Sequence, residues 1–200
     1  EKLGETVVLV GHEQGVCGAI SIADVVRAET KDALKDLRDL GLRKIIMLTG
    51  DSKRPARHIA DIVGIDEVEA EMLPEDKVDR IKALVSADNR VLMVGDGVND
   101  APALAHASVG MAMGVAGSDV AIEAADVALM TNDLGAVAST IRIGRRTFRI
   151  IGQNIYGSIA FNVVGITLAS VGLLSPLLAA VAHAVPDVLL FLNSSRLLRK

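Results

Sequence analysis

Cysteine occurs once in the 200 residues, at Cys17, which rules out a disulfide framework and a cysteine-rich metal centre. A basic excess is missing as well. Lys+Arg number 21 against 25 Asp+Glu, a net charge of −4, whereas a nucleic-acid partner needs a clustered basic face. Aromatic residues amount to 2 %, with no Trp, yet hydrophobic residues make up 50 %. That composition excludes intrinsic disorder and gives one or two domains enough interior for a core. There is no Met at position 1 and no signal-peptide pattern. Residues 6–10 (TVVLV) read as a strand without its partners, so the chain reads as the back end of a longer protein.

Charge is also scarce in one particular place. After Arg149 the only formally charged residues are Asp187, Arg196, Arg199 and Lys200, and residues 150–182 carry none. A spanning helix needs about 20 mainly apolar residues, and two fit here, at 151–171 and 176–192, separated by an uncharged turn at Gly172–Ser175. Arg142, Arg145, Arg146 and Arg149 precede the first stretch, and Arg196, Arg199 and Lys200 follow the second. The positive-inside rule then puts both ends in the cytoplasm of a multi-pass membrane protein, with lipid around the hairpin. A single long buried helix is the rival reading, against which Gly172 and Ser175-Pro176 argue for a turn.

The rest alternates strand and helix. Apolar runs at 7–10 and 18–22 are followed by a helix over 29–40, with Ala33, Leu34, Leu37 and Leu40 on one face and Gly41 at its end. Strands are expected at 44–48, 90–94, 109–113 and 127–130, and helices at 55–63, 75–87, 101–106 and 119–124. Such alternation implies an α/β fold with a parallel sheet and helices on both faces. Ligands of such sheets sit at the carboxyl ends of the strands. Cys17 reads as a small core residue.

Three loops at strand ends carry the chemistry. Gly95-Asp96-Gly97-Val98-Asn99-Asp100-Ala101-Pro102 follows one buried strand and opens a helix. Its glycines let the backbone approach a ligand, and Asp96 and Asp100 offer hard oxygens suited to Mg²⁺ beside a phosphate. An ordinary Asx-rich turn is the bland alternative, but two carboxylates at one strand tip repel without a cation. Thr49-Gly50-Asp51 supplies a hydroxyl and a glycine N–H as donors to a phosphoryl oxygen. Lys77, just inside the helix that follows Pro74, brings a positive charge, although a lone lysine of this kind is usually a solvated surface residue.

In this order the loops resemble motifs II, III and IV of the haloacid dehalogenase-like superfamily. TGDS, LPEDK and GDGVNDAPAL are closer still to the phosphorylation domain of P-type ATPases, and LNSSRLLRK is similar to the ending of heavy-metal-transporting (P1B-type) members. The resemblance implies a Rossmann-like, haloacid dehalogenase-like sheet over 11–148, the end of a nucleotide-binding domain at 1–10, and a transmembrane hairpin over 149–200. It implies a pump that transfers the γ-phosphoryl of ATP to an aspartate and then hydrolyses the aspartyl phosphate. Asp96 would bind Mg²⁺ and Asp100 order the metal shell. Thr49, Gly50 and Asp51 would form the phosphoryl-binding turn, Lys77 would neutralise charge, and Asn99 would add a hydrogen bond. The nucleophile-bearing DKTGT segment occurs nowhere in these residues, so the rest of the pump polypeptide is an implied partner.

For the transported transition-metal cation, His183 and Asp187 stand out, four residues apart on one helix face with Pro186 between them. Ionisable groups inside a span mark function by default, and a His/Asp pair suits a divalent ion more than Cu⁺. A structural His–Asp hydrogen bond is the equal alternative. Gln153, Asn154 and Asn162 fit interhelical hydrogen bonding better than ligation. A non-catalytic regulatory fragment that binds Mg²⁺ or phosphate and docks to a full-length pump is the competing functional reading.

Overall fold

The computed structural model describes residues 6–12, 15–22, 26–96, 99–114 and 119–198. It divides into two compact units, residues 1–138 and 139–200.

In the first unit β1 (Thr6–His12) and β2 (Gly15–Ile22) form an antiparallel hairpin in which Val8 faces Ile20. The TVVLV strand therefore does have a partner, the run that follows it. Val8, Leu9, Val10, Val16 and Ile20 are all exposed. Cys17 is exposed as well, contrary to its reading as a core residue, because a two-stranded ribbon buries neither face.

The helix α1 (Glu29–Asp39) follows, with Glu29 and Asp32 in its first turn and Arg38 in its last, matching the helix dipole. It ends at Leu40-Gly41, where Gly41 takes a φ of 86° that only glycine adopts cheaply. Ala33, Leu34 and Leu37 are buried, as are Ala56, Ala60 and Val63 of α2 (Lys53–Val63). Between the two helices lies β3 (Ile46–Leu48), which pairs in parallel with β4 (Glu67–Glu69). A second parallel ladder runs β5 (Leu92–Gly95), β6 (Val109–Met113), β7 (Val127–Leu129). The expected parallel pairing thus holds from β3 onward. The single sheet does not, because among the described residues β3 and β5 share no ladder. Packing bridges the gap: Leu48 of β3 lies against the core formed by Ile81, Met93, Ala103, Leu104 and Ala112. Ile81 comes from α3 (Pro74–Ser86), and Ala103 and Leu104 from α4 (Ala101–His106). The short α5 (Asp119–Ala124) connects β6 to β7.

An ion network lines the β4 side. Asp66 Oδ2 accepts from Ile45 N–H at 2.9 Å and Asp66 Oδ1 from Arg38 at 3.2 Å. The Ile45 hydrogen bond, helped by Arg38 and Lys44, holds the Asp66 carboxyl below its ordinary value. Lys44, with Arg80 behind it, does the same for Glu67. Groups depressed in the folded state contribute stability above the unfolded pKa and lose it as pH falls through the folded one. Asp66→Asn is therefore expected to lower the thermal midpoint at pH 7, with the gap to wild type closing as the pH falls below the carboxylate range. The Asp66 side chain is 44 % exposed, so the gap is small. A gap that persists unchanged at acid pH would remove the charge from the explanation.

The second unit is built on α6 (Gly135–Ser170), 36 residues long, and α7 (Pro176–Ser194), which runs on into a 3₁₀ turn at Ser195–Leu198. At 1.5 Å per residue α6 is roughly 54 Å long. It begins well before the span start expected at 151, since no proline interrupts residues 135–170 and the isolated glycines at 144, 152, 157 and 165 are tolerated within the helix. The expected turn is present: Gly172 has a φ of 74°, and the Ser175 hydroxyl caps α7 by accepting from Leu178 N–H at 3.3 Å. Asn154 and Asn193 tie the helices together, Asn193 Nδ2 donating to Asn154 Oδ1 at 2.7 Å and Asn154 Nδ2 to Ser194 Oγ at 3.0 Å. Gln153 also accepts from Asn193, and Arg196 donates to Asn193 Oδ1 at 2.9 Å. Interhelical bonding is thus the role of Gln153 and Asn154. Among the described residues no helix is long and apolar enough to cross a membrane. In α6 the apolar run is diluted by Gln153, Asn154, Asn162 and Thr167.

Candidate active site

Each motif loop sits at the carboxyl end of a strand. Thr49 directly follows β3, and its N–H extends the ladder by donating to Glu69 O at 3.0 Å. The Thr49 hydroxyl donates to Asp51 Oδ2 at 2.8 Å and accepts from Asp51 N–H at 3.1 Å, which closes the Thr49-Gly50-Asp51 turn on itself. Gly50 and Asp51 are exposed and Thr49 is half-buried. Two further backbone bonds seat this turn on the next loop: Met72 N–H donates to Thr49 O at 3.1 Å and Glu71 N–H to Asp51 O at 2.8 Å.

From that loop the chain enters α3. Pro74 supplies the fixed φ of a first helical residue, and Asp76 Oδ2 accepts from Leu73 N–H at 2.8 Å. One turn in, Lys77 Nζ lies 2.8 Å from Asp100 Oδ1. The two side chains are only 16 % and 14 % exposed, so water screens the pair weakly. Asp100 is held close to β5 by a glycine. A Cβ placed on Gly95 would stand 2.6 Å from Asp100 Oδ2 and 2.9 Å from Asp100 Cβ. The carboxylate thus occupies the space a side chain at 95 would fill.

Of the sequence-derived site residues, Lys77 and Asp100 are in direct contact, and Thr49, Gly50 and Asp51 are linked to them through residues 69–74. Asp96 and Asn99 flank the loop and are exposed; Gly97 and Val98 lie outside the described residues. Lys77 was expected to face a phosphoryl group and is found on Asp100. His183 and Asp187 fall in α7, in the other unit; Asp187 is exposed and the His183 side chain lies outside the described residues. Among the described residues no group of three or more His, Cys, Asp or Glu is arranged to hold a metal. Sequence reasoning missed the backbone of Glu71 and Met72, for which no residue-type signal exists, and the fit of Gly95 under Asp100, which the Gly95-to-Asp100 spacing does hint at.

A family model described as haloacid dehalogenase-like hydrolase matches residues 1–108, and a second with the same description matches 76–141. A copper-exporting P-type ATPase of Staphylococcus saprophyticus is 45 % identical over 100 % of this chain and 25 % of its own length. A zinc-exporting P-type ATPase of Mycobacterium marinum is 47 % identical over 98 % of this chain and 27 % of its own. The crystal structure of a zinc-transporting PIB-type ATPase in its E2.Pi state aligns with a TM-score of 0.84 at 40 % identity, covering 98 % of this chain and 32 % of that one. The chain spans about a quarter of the length of the curated relatives it matches. It belongs to the haloacid dehalogenase-like hydrolases, in the branch whose relatives are heavy-metal-exporting P-type ATPases.

Proposed function

We propose that the chain is the motif-bearing part of the phosphorylation domain, with a membrane hairpin, of an ATP-driven pump that exports a divalent transition metal through an aspartyl phosphate. The observation that carries this reading is the Lys77–Asp100 pair at 2.8 Å, poised at the carboxyl end of β5 over a glycine that leaves room for it. The donor set fits Mg²⁺: Asp96 and Asp100 bring hard oxygens to one strand tip, and this ion takes one or two carboxylates plus substrate phosphate. When bound, it would supply the concentrated positive charge that a transferring phosphoryl group needs. Lys77 fixes the Asp100 carboxylate and adds its own charge. In the Thr49-Gly50-Asp51 turn the Gly50 N–H is the donor for a phosphoryl oxygen, the Thr49 hydroxyl would exchange its bond to Asp51 Oδ2 for one to the phosphoryl group, and Asn99 would give a further hydrogen bond. The aspartate nucleophile and most of the ATP site belong to the rest of the polypeptide.

The hairpin reading rests on the α6–turn–α7 arrangement, on arginines at both ends of it, and on the likeness of the whole chain to membrane pumps. Both ends of the segment then face the cytoplasm. The relatives carry the names of copper, cadmium, zinc and manganese transporters, so the cargo is set by the membrane residues, where we assign His183 and Asp187.

The test is metal-stimulated ATP hydrolysis by the full-length protein across Zn²⁺, Co²⁺, Ni²⁺, Mn²⁺, Fe²⁺ and Cu⁺. Asp187→Ala and His183→Ala are each expected to reduce metal stimulation by roughly tenfold or more, while phosphoenzyme formation from inorganic phosphate persists. An unchanged metal profile in both variants would leave only a structural role for the pair.

A further inference from the structure

Glu71 has a φ of 60°, in the left-handed region. Among the described residues the one other non-glycine there is Asp88, in the turn that ends α3. Aspartate visits this region because its short side chain bonds locally. Glutamate has no such help, so its backbone is held there by its surroundings.

Those surroundings are the candidate site. Glu71 N–H donates to Asp51 O, and the next residue, Met72, donates to Thr49 O. With the Thr49 N–H bond to Glu69 O, both ends of the Thr49-Gly50-Asp51 turn are fastened to residues 69–72. Gly50 sits close enough that a Cβ on it would lie 3.4 Å from Met72 O. Immediately after this clasp the chain reaches Leu73, bonded to Asp76, and then Lys77, bonded to Asp100. The side chain of Glu71 reaches Lys53 at 3.4 Å, but the two are 54 % and 76 % exposed, and such a pair contributes little.

We propose that the left-handed backbone of Glu71 is a positioning device, which sets the phosphoryl-binding turn at Thr49–Asp51 in register with Lys77 on α3. It rests on the phosphoryl-site reading above. An extended residue at 71 would redirect the chain after its Cα, taking the Met72 N–H off Thr49 O and swinging α3 relative to the turn.

The experiment measures orthovanadate inhibition of ATP hydrolysis by the full-length protein. Glu71→Val, whose branched side chain disfavours positive φ, is expected to need roughly tenfold more orthovanadate for half-inhibition, as a misplaced oxyanion site would. The KM for ATP should stay within about twofold, because the nucleotide is held elsewhere. Glu71→Gly and Glu71→Asn, which accept the left-handed conformation, should restore wild-type sensitivity. Glu71→Ala serves if the valine variant does not accumulate. Wild-type sensitivity in Glu71→Val, or a glycine variant as impaired as the valine one, overturns the proposal. Thr49→Ala separates the two levels. If it too leaves orthovanadate inhibition unchanged, the phosphoryl-site reading itself is lost. If it weakens inhibition and Glu71→Val does not, only the positioning role falls.

Discussion

Asp96→Ala in the full-length protein is expected to lower ATP turnover by about 10³-fold. Charge stabilisation by a divalent cation at a transferring phosphoryl group is worth several kcal/mol. At about 1.4 kcal/mol per decade, losing roughly 4 of them gives that factor. Asp96 is exposed, at the tip of β5, and lies outside the buried core, so the loss should come without a matching fall in thermal stability. The check is steady-state hydrolysis with a Mg²⁺ titration, beside a thermal melt. Turnover within tenfold of wild type, at the same Mg²⁺ requirement, would mean that Asp96 is not a metal ligand.

The placement of the candidate site residues was legible in the sequence because each cluster is local in the chain. Short polar words after apolar runs place carboxylates, hydroxyl and lysine at strand ends, and the parallel pairing of β3 with β4 and of β5 with β6 and β7 brings those ends to hand. Helix limits were legible wherever a breaker stands at them, as at Gly41, Gly64 and Gly172. Other features are not written in residue types. Glu67–Glu69 forms a strand although its sequence, Glu-Val-Glu, has a single apolar residue. Lys44 and Arg80 neutralise those glutamates, a tertiary arrangement that hydropathy does not reveal. The start of α6 was hidden because arginines at 142, 145, 146 and 149 look like the end of a span, while a helix continues through charge as readily as through leucine. The left-handed backbone of Glu71 follows from its hydrogen-bond partners alone.

Gly95→Ala should be nearly as damaging as loss of the carboxylate itself, although a methyl group is all it adds. Its Cβ would lie 2.6 Å from Asp100 Oδ2 and 2.9 Å from Asp100 Cβ, so both must move. Asp100 opens α4, its carbonyl accepting from Leu104 N–H at 2.9 Å, and Ala103 and Leu104 are fully packed. Rotating the carboxylate off Lys77 relieves the Oδ2 contact at the expense of the pair, while the Cβ contact also requires a small shift at the start of α4. Breaking a fully buried ion pair costs about 3–5 kcal/mol. With 16 % and 14 % of these side chains still exposed, about 2 kcal/mol is the appropriate figure. Turnover should drop by about 10²-fold, the scale for losing one preorganised charge contact at a reacting centre. A double-mutant cycle with Lys77→Met distinguishes this route from general core damage. If Gly95→Ala acts through the pair, the double variant is no worse than the worse single one. Full additivity, or wild-type turnover in Gly95→Ala, would show that the closeness of Asp100 to β5 is incidental to activity.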